Sequence, residues 1–368
     1  MEPAAARTLV ADGSTRSPDI MHRTLAAATL LLALSLPCSA QADLTSAVRL
    51  MMFSDASYQW TERDVAEGFS LGQVVGHLNA VLTDRLYVAA EATITSRSAG
   101  PLATIERVIL GYDFSDAFRL SVGRYHTPVS WWNTQYHHGL WLQTSIDRPN
   151  MVRFGTPLVP VHFMGLLATG TVPVGRSFLI YEAGVGNGRQ PDLVSAGDAG
   201  EEDGAAAFIG GLRFRPSVLR GLEVGAHGYI DEVDAGTGPV DERIVGGHAV
   251  WLRNPEVVIE YLHFIHDPQA EGAASRESDA WYAQLGWKLP HAPTIQPYVR
   301  YESVEIDAND PLFDGLGLGY EGVIGGVRWD FVRFVALKGE FRSEEHGAGD
   351  RANSVVLNVS FVIPNILE

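Results

Sequence analysis

The chain has 368 residues, a formal net charge of −17, 46% hydrophobic residues, 38 glycines and a single cysteine, Cys38. Its mean hydropathy is +0.02. The acidic balance argues against a nucleic-acid partner, the lone cysteine excludes a disulfide framework, and the chain after residue 36 has no apolar run of the roughly 17–25 residues a spanning helix needs. Any membrane insertion must therefore use a closed β-barrel, because an open sheet leaves backbone groups unsatisfied in lipid.

In chain order, the first feature is the apolar segment Leu25–Leu36, preceded by Met21-His22-Arg23 and followed by Ala40-Gln41-Ala42. A small basic start, a short apolar core and a small-x-small site describe a cleavable secretory signal, with residues 1–42 removed and the mature chain 43–368 beginning at Asp43. Glu2, Asp12 and Asp19 do not suit a signal's basic end, so translation starts at Met1 or at Met21. Cys38 falls in the removed segment.

Beyond it, short stretches alternate apolar and polar residues with a period of two, which places the two sets on opposite faces of a sheet. Val355, Leu357, Val359 and Phe361 oppose Ser354, Asn358 and Ser360. Leu222, Val224, Ala226 and Ile230 oppose Glu223, His227, Tyr229 and Asp231, and Val335, Leu337 and Phe341 oppose Lys338, Glu340 and Arg342. Strands are predicted at 44–54, 68–81, 86–97, 104–113, 118–125, 161–172, 177–186, 205–216, 221–231, 242–252, 256–266, 279–288, 295–305, 317–329, 332–343 and 352–362. Connections alternate between short turns, such as Thr83-Asp84, Ser115-Asp116 and Asp330-Phe331, and longer loops at 55–67, 98–103, 126–160, 187–204, 232–241, 267–278, 306–316 and 344–351. The fold class is thus an all-β transmembrane antiparallel β-barrel of about 16 strands. Fourteen is the alternative, because 44–67 carries the weakest pattern. Short periplasmic turns and long external loops place both termini in the periplasm. Trp251, Trp281, Trp287 and Trp329 fall near predicted strand ends, where aromatic girdles sit.

The 126–160 connection breaks the acidic character of the other loops. It carries His126, Trp131, Trp132, Asn133, Tyr136, His137, His138, Trp141, Arg148 and Phe154. A loop left in water does not usually hold three tryptophans, so it is expected to fold inward and constrict the bore. The pore-constriction set is His126, Trp131, Trp132, Asn133, His137, His138 and Arg148. Predicted inward faces carry Arg107, Arg119, Arg213, Arg215, Arg300, Arg328 and Lys338, with Glu91, Glu182, Glu223, His227, Glu260, Glu302 and Glu340. Opposed charges across a lumen sieve polar solutes. Acids crowd the external loops at Asp192, Asp198, Glu201, Glu202 and Asp203, at Asp231, Glu232, Asp234, Asp241 and Glu242, and at Asp307, Asp310 and Asp314. A negative mouth favours cations, and such acids also meet lipopolysaccharide phosphates through divalent ions.

The run Gly123-Arg124-Tyr125-His126-Thr127-Pro128-Val129-Ser130, preceded by Ser115-Asp116-Ala117-Phe118, resembles the strand-to-loop passage of porin families related to the phosphate-selective porins. The stretch from Trp131-Trp132-Asn133 to Arg148-Pro149 is similar to proteobacterial outer-membrane β-barrel proteins without assigned substrate. The resemblance implies a 16-stranded outer-membrane barrel, commonly a homotrimer, that passes small solutes by diffusion. It does not extend to phosphate, since His126 stands where the pattern often has Lys. The chain also continues from Phe361 to Glu368, where such barrels usually end on an aromatic residue.

No enzyme is expected. There is no Gly-x-Ser-x-Gly elbow, no cysteine survives processing, and Ser130 with His126 is only a neighbouring pair. No cofactor and no metal site are assigned: imidazoles bind transition metals, but His137 and His138 would diverge in extended chain, and His263 and His266 fall on opposite strand faces. The expected function is an outer-membrane diffusion channel for small hydrophilic solutes or ions with a modest cation preference. Its partners are membrane lipid, lipopolysaccharide and the passing solutes. The alternative is a closed-lumen structural or adhesion barrel that binds an envelope partner through its loops.

Overall fold

The computed structural model describes residues 48–190, 192–194, 200, 204–234 and 238–366. The predicted signal segment and Asp43 lie outside the described residues. Sixteen strands follow one another: β1 Val48–Thr61, β2 Gly68–Val81, β3 Leu86–Thr95, β4 Leu102–Ser115, β5 Phe118–His126, β6 His162–Val174, β7 Ser177–Asn187 and β8 Ala206–Arg215. The second half comprises β9 Leu222–Asp234, β10 Pro239–Leu252, β11 Glu256–Pro268, β12 Arg276–Gly286, β13 Ile295–Glu305, β14 Tyr320–Val332, β15 Val335–His346 and β16 Ala352–Ile363.

Every strand pairs antiparallel with its sequence neighbours, and β1 closes on β16 with Tyr58 opposite Leu357 and Ser54 opposite Phe361. Closure removes the sheet edges that lipid would leave without hydrogen bonds. The even strand number brings the start of β1 and the end of β16 to the same rim. The two faces are inverted relative to a soluble protein. Val224, Ile230, Phe341, Val355, Leu357 and Val359 are exposed on the outside, while Glu223, His227, Asp231, Lys338, Glu340 and Arg342 are buried inside. Period-two alternation thus produces an apolar belt for lipid and a charged interior from the same strands.

Three sequence expectations shift. The first strand is not 44–54 but Val48–Thr61, and the expected loop 55–67 shrinks to 62–67. The sequence pattern puts Asp55 at the start of that loop. Its carboxylate instead points inward and accepts the Gln73 amide at 3.1 Å beside a bulge between Ser54 and Ala56. Charged strand ends also differ from the expected loop: β9 runs to Asp234 and β10 starts at Pro239, so 232–241 contracts to 235–238. Strands extend past the apolar belt, where nothing requires their outward residues to be apolar. For the same reason Trp281 is not at a strand end but midway along β12, opposite Tyr261 and packed diagonally against the Tyr301 ring. Beyond it the outer face turns charged at Asp279 and Glu277, so the belt ends there. At the other rim Trp287, Trp329 and Phe331 are exposed. The long-and-short rhythm of connections is clear at 127–161, 188–205 and 306–319 and fails at 235–238 and 287–294.

Candidate functional site: the loop inside the barrel

The connection from β5 to β6, residues 127–161, lies within the barrel. Gly123 precedes it at φ +138°, a conformation other residues resist, and a side chain there would collide with the Val108 carbonyl. The loop opens with a single helical turn, α1, Trp131–Gln135, whose N-cap Ser130 accepts the Asn133 amide. The Glu260 carboxylate on β11 accepts the Trp131 amide at 2.7 Å, and Trp132 is fully buried edge-on to Tyr282.

From there the chain crosses to the β11–β15 wall and is held by its backbone. Lys338 Nζ donates to the carbonyls of Leu140, Gln143 and Ser145 at 2.5, 2.7 and 2.8 Å. Arg328 donates to the Trp141 and Gln143 carbonyls at 2.7 Å each. Arg300 reaches the Ser145 hydroxyl at 2.7 Å and the Asp147 carbonyl at 2.9 Å, and Arg342 pairs with Asp147 at 2.6 Å. The Glu340 carboxylate accepts the Ile146 amide at 2.6 Å, and Glu302 accepts the Asn150 amide. An irregular loop buried in a barrel has no strand partner for its amides and carbonyls, so the wall's charged side chains supply them.

The expected lumen charges therefore divide into two groups. Arg300, Glu302, Arg328 and Lys338, with Glu260 and Glu340, are anchors of the loop. The other arginines stand on β4, β5 and β8 and pair with neighbouring acids: Arg107 with Glu91 at 3.1 Å, Arg119 with Asp113 at 2.8 Å, Arg213 with Glu182 at 2.8 Å, and Arg215 with Glu223. His227 lies 4.0 Å from Glu260. Several acids assigned to an external ring are likewise internal. Asp231 accepts the Tyr229 hydroxyl at 2.6 Å, Glu242 pairs with Arg189 at 3.2 Å, and Asp310 accepts His266 Nδ1 at 2.8 Å and the Leu312 and Phe313 amides at 2.9 Å. Asp231 and Glu242 sit on strands that reach further than the sequence pattern indicates and face inward there, and Asp310 folds inward from loop 306–319. Asp198, Glu201, Glu202 and Asp203 lie outside the described residues. Burial alone would raise the Asp310 carboxyl. The His266 hydrogen bond and the two amides outweigh it and hold the group below the usual carboxylate range.

The remaining loop residues gather on the β4–β6 side. His126 ends β5 and stacks on His137 with ring centroids 3.4 Å apart. Asn133 donates to the Thr127 and Val161 carbonyls at 2.9 and 3.0 Å, and Arg148 donates to Asn133 Oδ1 at 2.7 Å and to the His137 carbonyl at 2.9 Å. His137 and His138 do not diverge. The chain bends after α1 and turns at Gly139, φ +87°, against the Phe53 ring, so both imidazoles reach the same neighbourhood as His162 of β6 and Glu106 of β4. Glu106 was not among the expected site residues; it occupies the bulge at which Arg107 and Ile105 pair with successive residues of β3, and no period-two reading locates it.

A cavity of about 620 Å³ at the short-turn rim is lined by Asp84, Arg85, Asp113, Arg119, Glu182 and Arg213. A second, of about 360 Å³, opens toward the other rim beside His137, His138, Arg148 and Phe154.

No protein-family model matches the chain, and no curated protein does. Among solved structures it is similar to OmpT, an outer membrane protein of Vibrio cholerae in its trimer form, at 15% identity and TM-score 0.59, covering 86% of this chain and 99% of that one. It is also similar to Salmonella typhi OmpF in complex with daunomycin, at 9% identity and TM-score 0.58, covering 86% and 97%. The outer membrane channel DcaP of Acinetobacter baumannii aligns at 12% identity and TM-score 0.56, again covering 86% and 97%. At such identities the likeness is one of fold: the chain shares the closed antiparallel β-barrel architecture of these outer-membrane proteins, here with sixteen strands.

Proposed function

We propose that this barrel is an outer-membrane diffusion channel for small hydrophilic solutes or ions, with both chain ends at the periplasmic rim and the 127–161 loop as its constriction. The observation that carries the reading is a charged lumen with a polar cavity of about 620 Å³ on one side of the loop and about 360 Å³ on the other. Transport of this kind needs no nucleophile or cofactor: the barrel replaces lipid with water, and the loop and wall charges set what passes. The shared fold with OmpF and DcaP supports it, and the trimer form of OmpT supports a homotrimer.

The closed-lumen alternative has one observation in its favour. Arg300, Glu302, Lys338 and Glu340 are buried beneath the loop, and two of the gaps beside it are as small as about 20 and 10 Å³. Planar-bilayer recording of the folded protein separates the two. The channel reading expects discrete conductance steps that grow when residues 131–150 are deleted. Silence from the intact protein with steps from the deletion variant would establish a barrel closed by its own loop.

A further inference from the structure

We infer that Glu106, His137 and His138 form a binding site for one divalent transition metal ion of the imidazole-preferring class, with Zn²⁺ its first representative, and that His162 supports it. The ligand atoms of Glu106, His137 and His138 all lie within 4.8 Å of one another, and all three residues are buried. His138 Nε2 stands 3.4 Å from Glu106 Oε2, close to the roughly 3.3 Å between neighbouring ligand atoms of a tetrahedral zinc site.

The proton inventory makes this a cation site. Asn133 spends its amide N–H groups on the Thr127 and Val161 carbonyls, so its oxygen faces His137 Nδ1 at 2.8 Å. His137 Nδ1 must then carry the proton, and its Nε2 presents a lone pair. The same holds for His138. Gln73 donates to Thr95 Oγ1 at 3.0 Å and turns its oxygen to His138 Nδ1 at 2.9 Å. His138 Nε2 is buried without a hydrogen-bond partner. Two imidazole lone pairs and a carboxylate oxygen thus converge, and the single N–H that His162 Nε2 can supply serves one of them, so the arrangement costs free energy unless something positive lies among the rest. Outer hydrogen bonds that fix the tautomer are the usual support of metal-bound histidines. Thr93 orients the carboxylate by donating to Glu106 Oε1 at 2.7 Å, and His162 Nε2 stands 2.9 Å from Glu106 Oε2 and 3.0 Å from His137 Nε2.

His137 and His138 belong to the loop and Glu106 to the wall, so a bound ion would tie one to the other. The cavity of about 360 Å³ includes both histidines in its lining and supplies the entry path. The site does not depend on whether the lumen conducts.

The test is Co²⁺ titration of the untagged, refolded barrel in detergent after removal of metals with a chelator, followed by displacement with Zn²⁺. One saturable equivalent per chain, with the visible absorption of a low-coordinate Co²⁺ centre, is expected. His138→Ala and Glu106→Gln should each abolish it, Gln73→Ala should weaken it by roughly 10–100-fold, and His291→Ala, in a turn at the far rim, should leave it unchanged. Heat-modifiable migration in electrophoresis establishes that each variant is folded. Absence of saturable binding in the folded parent chain overturns the site, as does binding that survives both His138→Ala and Glu106→Gln. Because the readout is absorption, a barrel that binds Co²⁺ and shows no conductance would refute the channel and leave the metal site standing.

Discussion

At the scale of single residues, the interior side chains act through hydrogen-bond supply. Lys338 serves three loop carbonyls at once, and hydrogen bonds to a charged group are worth about 1.5–3 kcal/mol each. Lys338→Met leaves those carbonyls buried without a donor. It should release residues 140–145 at a cost of about 3 kcal/mol or more, read as protease cleavage within the loop of an otherwise folded barrel. Asp310 gives a pH prediction. Its carboxyl is held below its unfolded value of about 3.9, so its contribution to holding loop 306–319 is complete above that value and is lost as pH falls through the lower folded one. Protease sensitivity of this loop should stay constant from neutral pH down to about 5 and rise only below about 4. Asp310→Asn should raise it at neutral pH and remove its rise in acid. A rise already near pH 6 would show that a group other than Asp310 holds the loop. Neither role was legible beforehand. The sequence places Lys338 and Arg300 on the inward face, but what an inward charge meets depends on a loop that comes from the other side of the barrel.

At the scale of elements, alternation did most of the work. All sixteen strands are present, with boundaries shifted where they leave the apolar belt. The first strand illustrates the limit: Ala56, Tyr58 and Trp60 alternate with Asp55, Ser57 and Gln59, but Phe53, buried on the inward face beside the bulge, breaks the pattern. The lipid face is testable in a central position of β16. Leu357 is exposed on the belt, and Leu357→Arg should cost about 2–4 kcal/mol of folding free energy in vesicle-refolding equilibria, as expected for a cation at the bilayer midplane. An equal cost in detergent would show that position 357 packs against protein. His137 and His138 mark the other limit. Period two separates adjacent residues only in extended chain, and these two lie in the bend after a single helical turn.

At the scale of the whole molecule, charge and closure decide what the barrel presents to solutes. The chain carries a net charge of −17, while the cations Arg300, Arg328 and Lys338 are spent on the loop backbone. The excess acid left at the mouths should make the channel cation-preferring. Under a salt gradient, the reversal potential is expected to take the sign of cation permeation; the opposite sign would assign selectivity to the arginines of the short-turn cavity. The sequence by itself determined the class of architecture, the inverted faces of the strands and the singular loop, because all three are written in local periodicity and composition. Only the tertiary structure decided which charges face solute, which hold the loop, and that Glu106 meets two adjacent histidines. Those are contacts between segments far apart in the chain, set by barrel closure, a bulge and a turn, and none of them leaves a periodic trace.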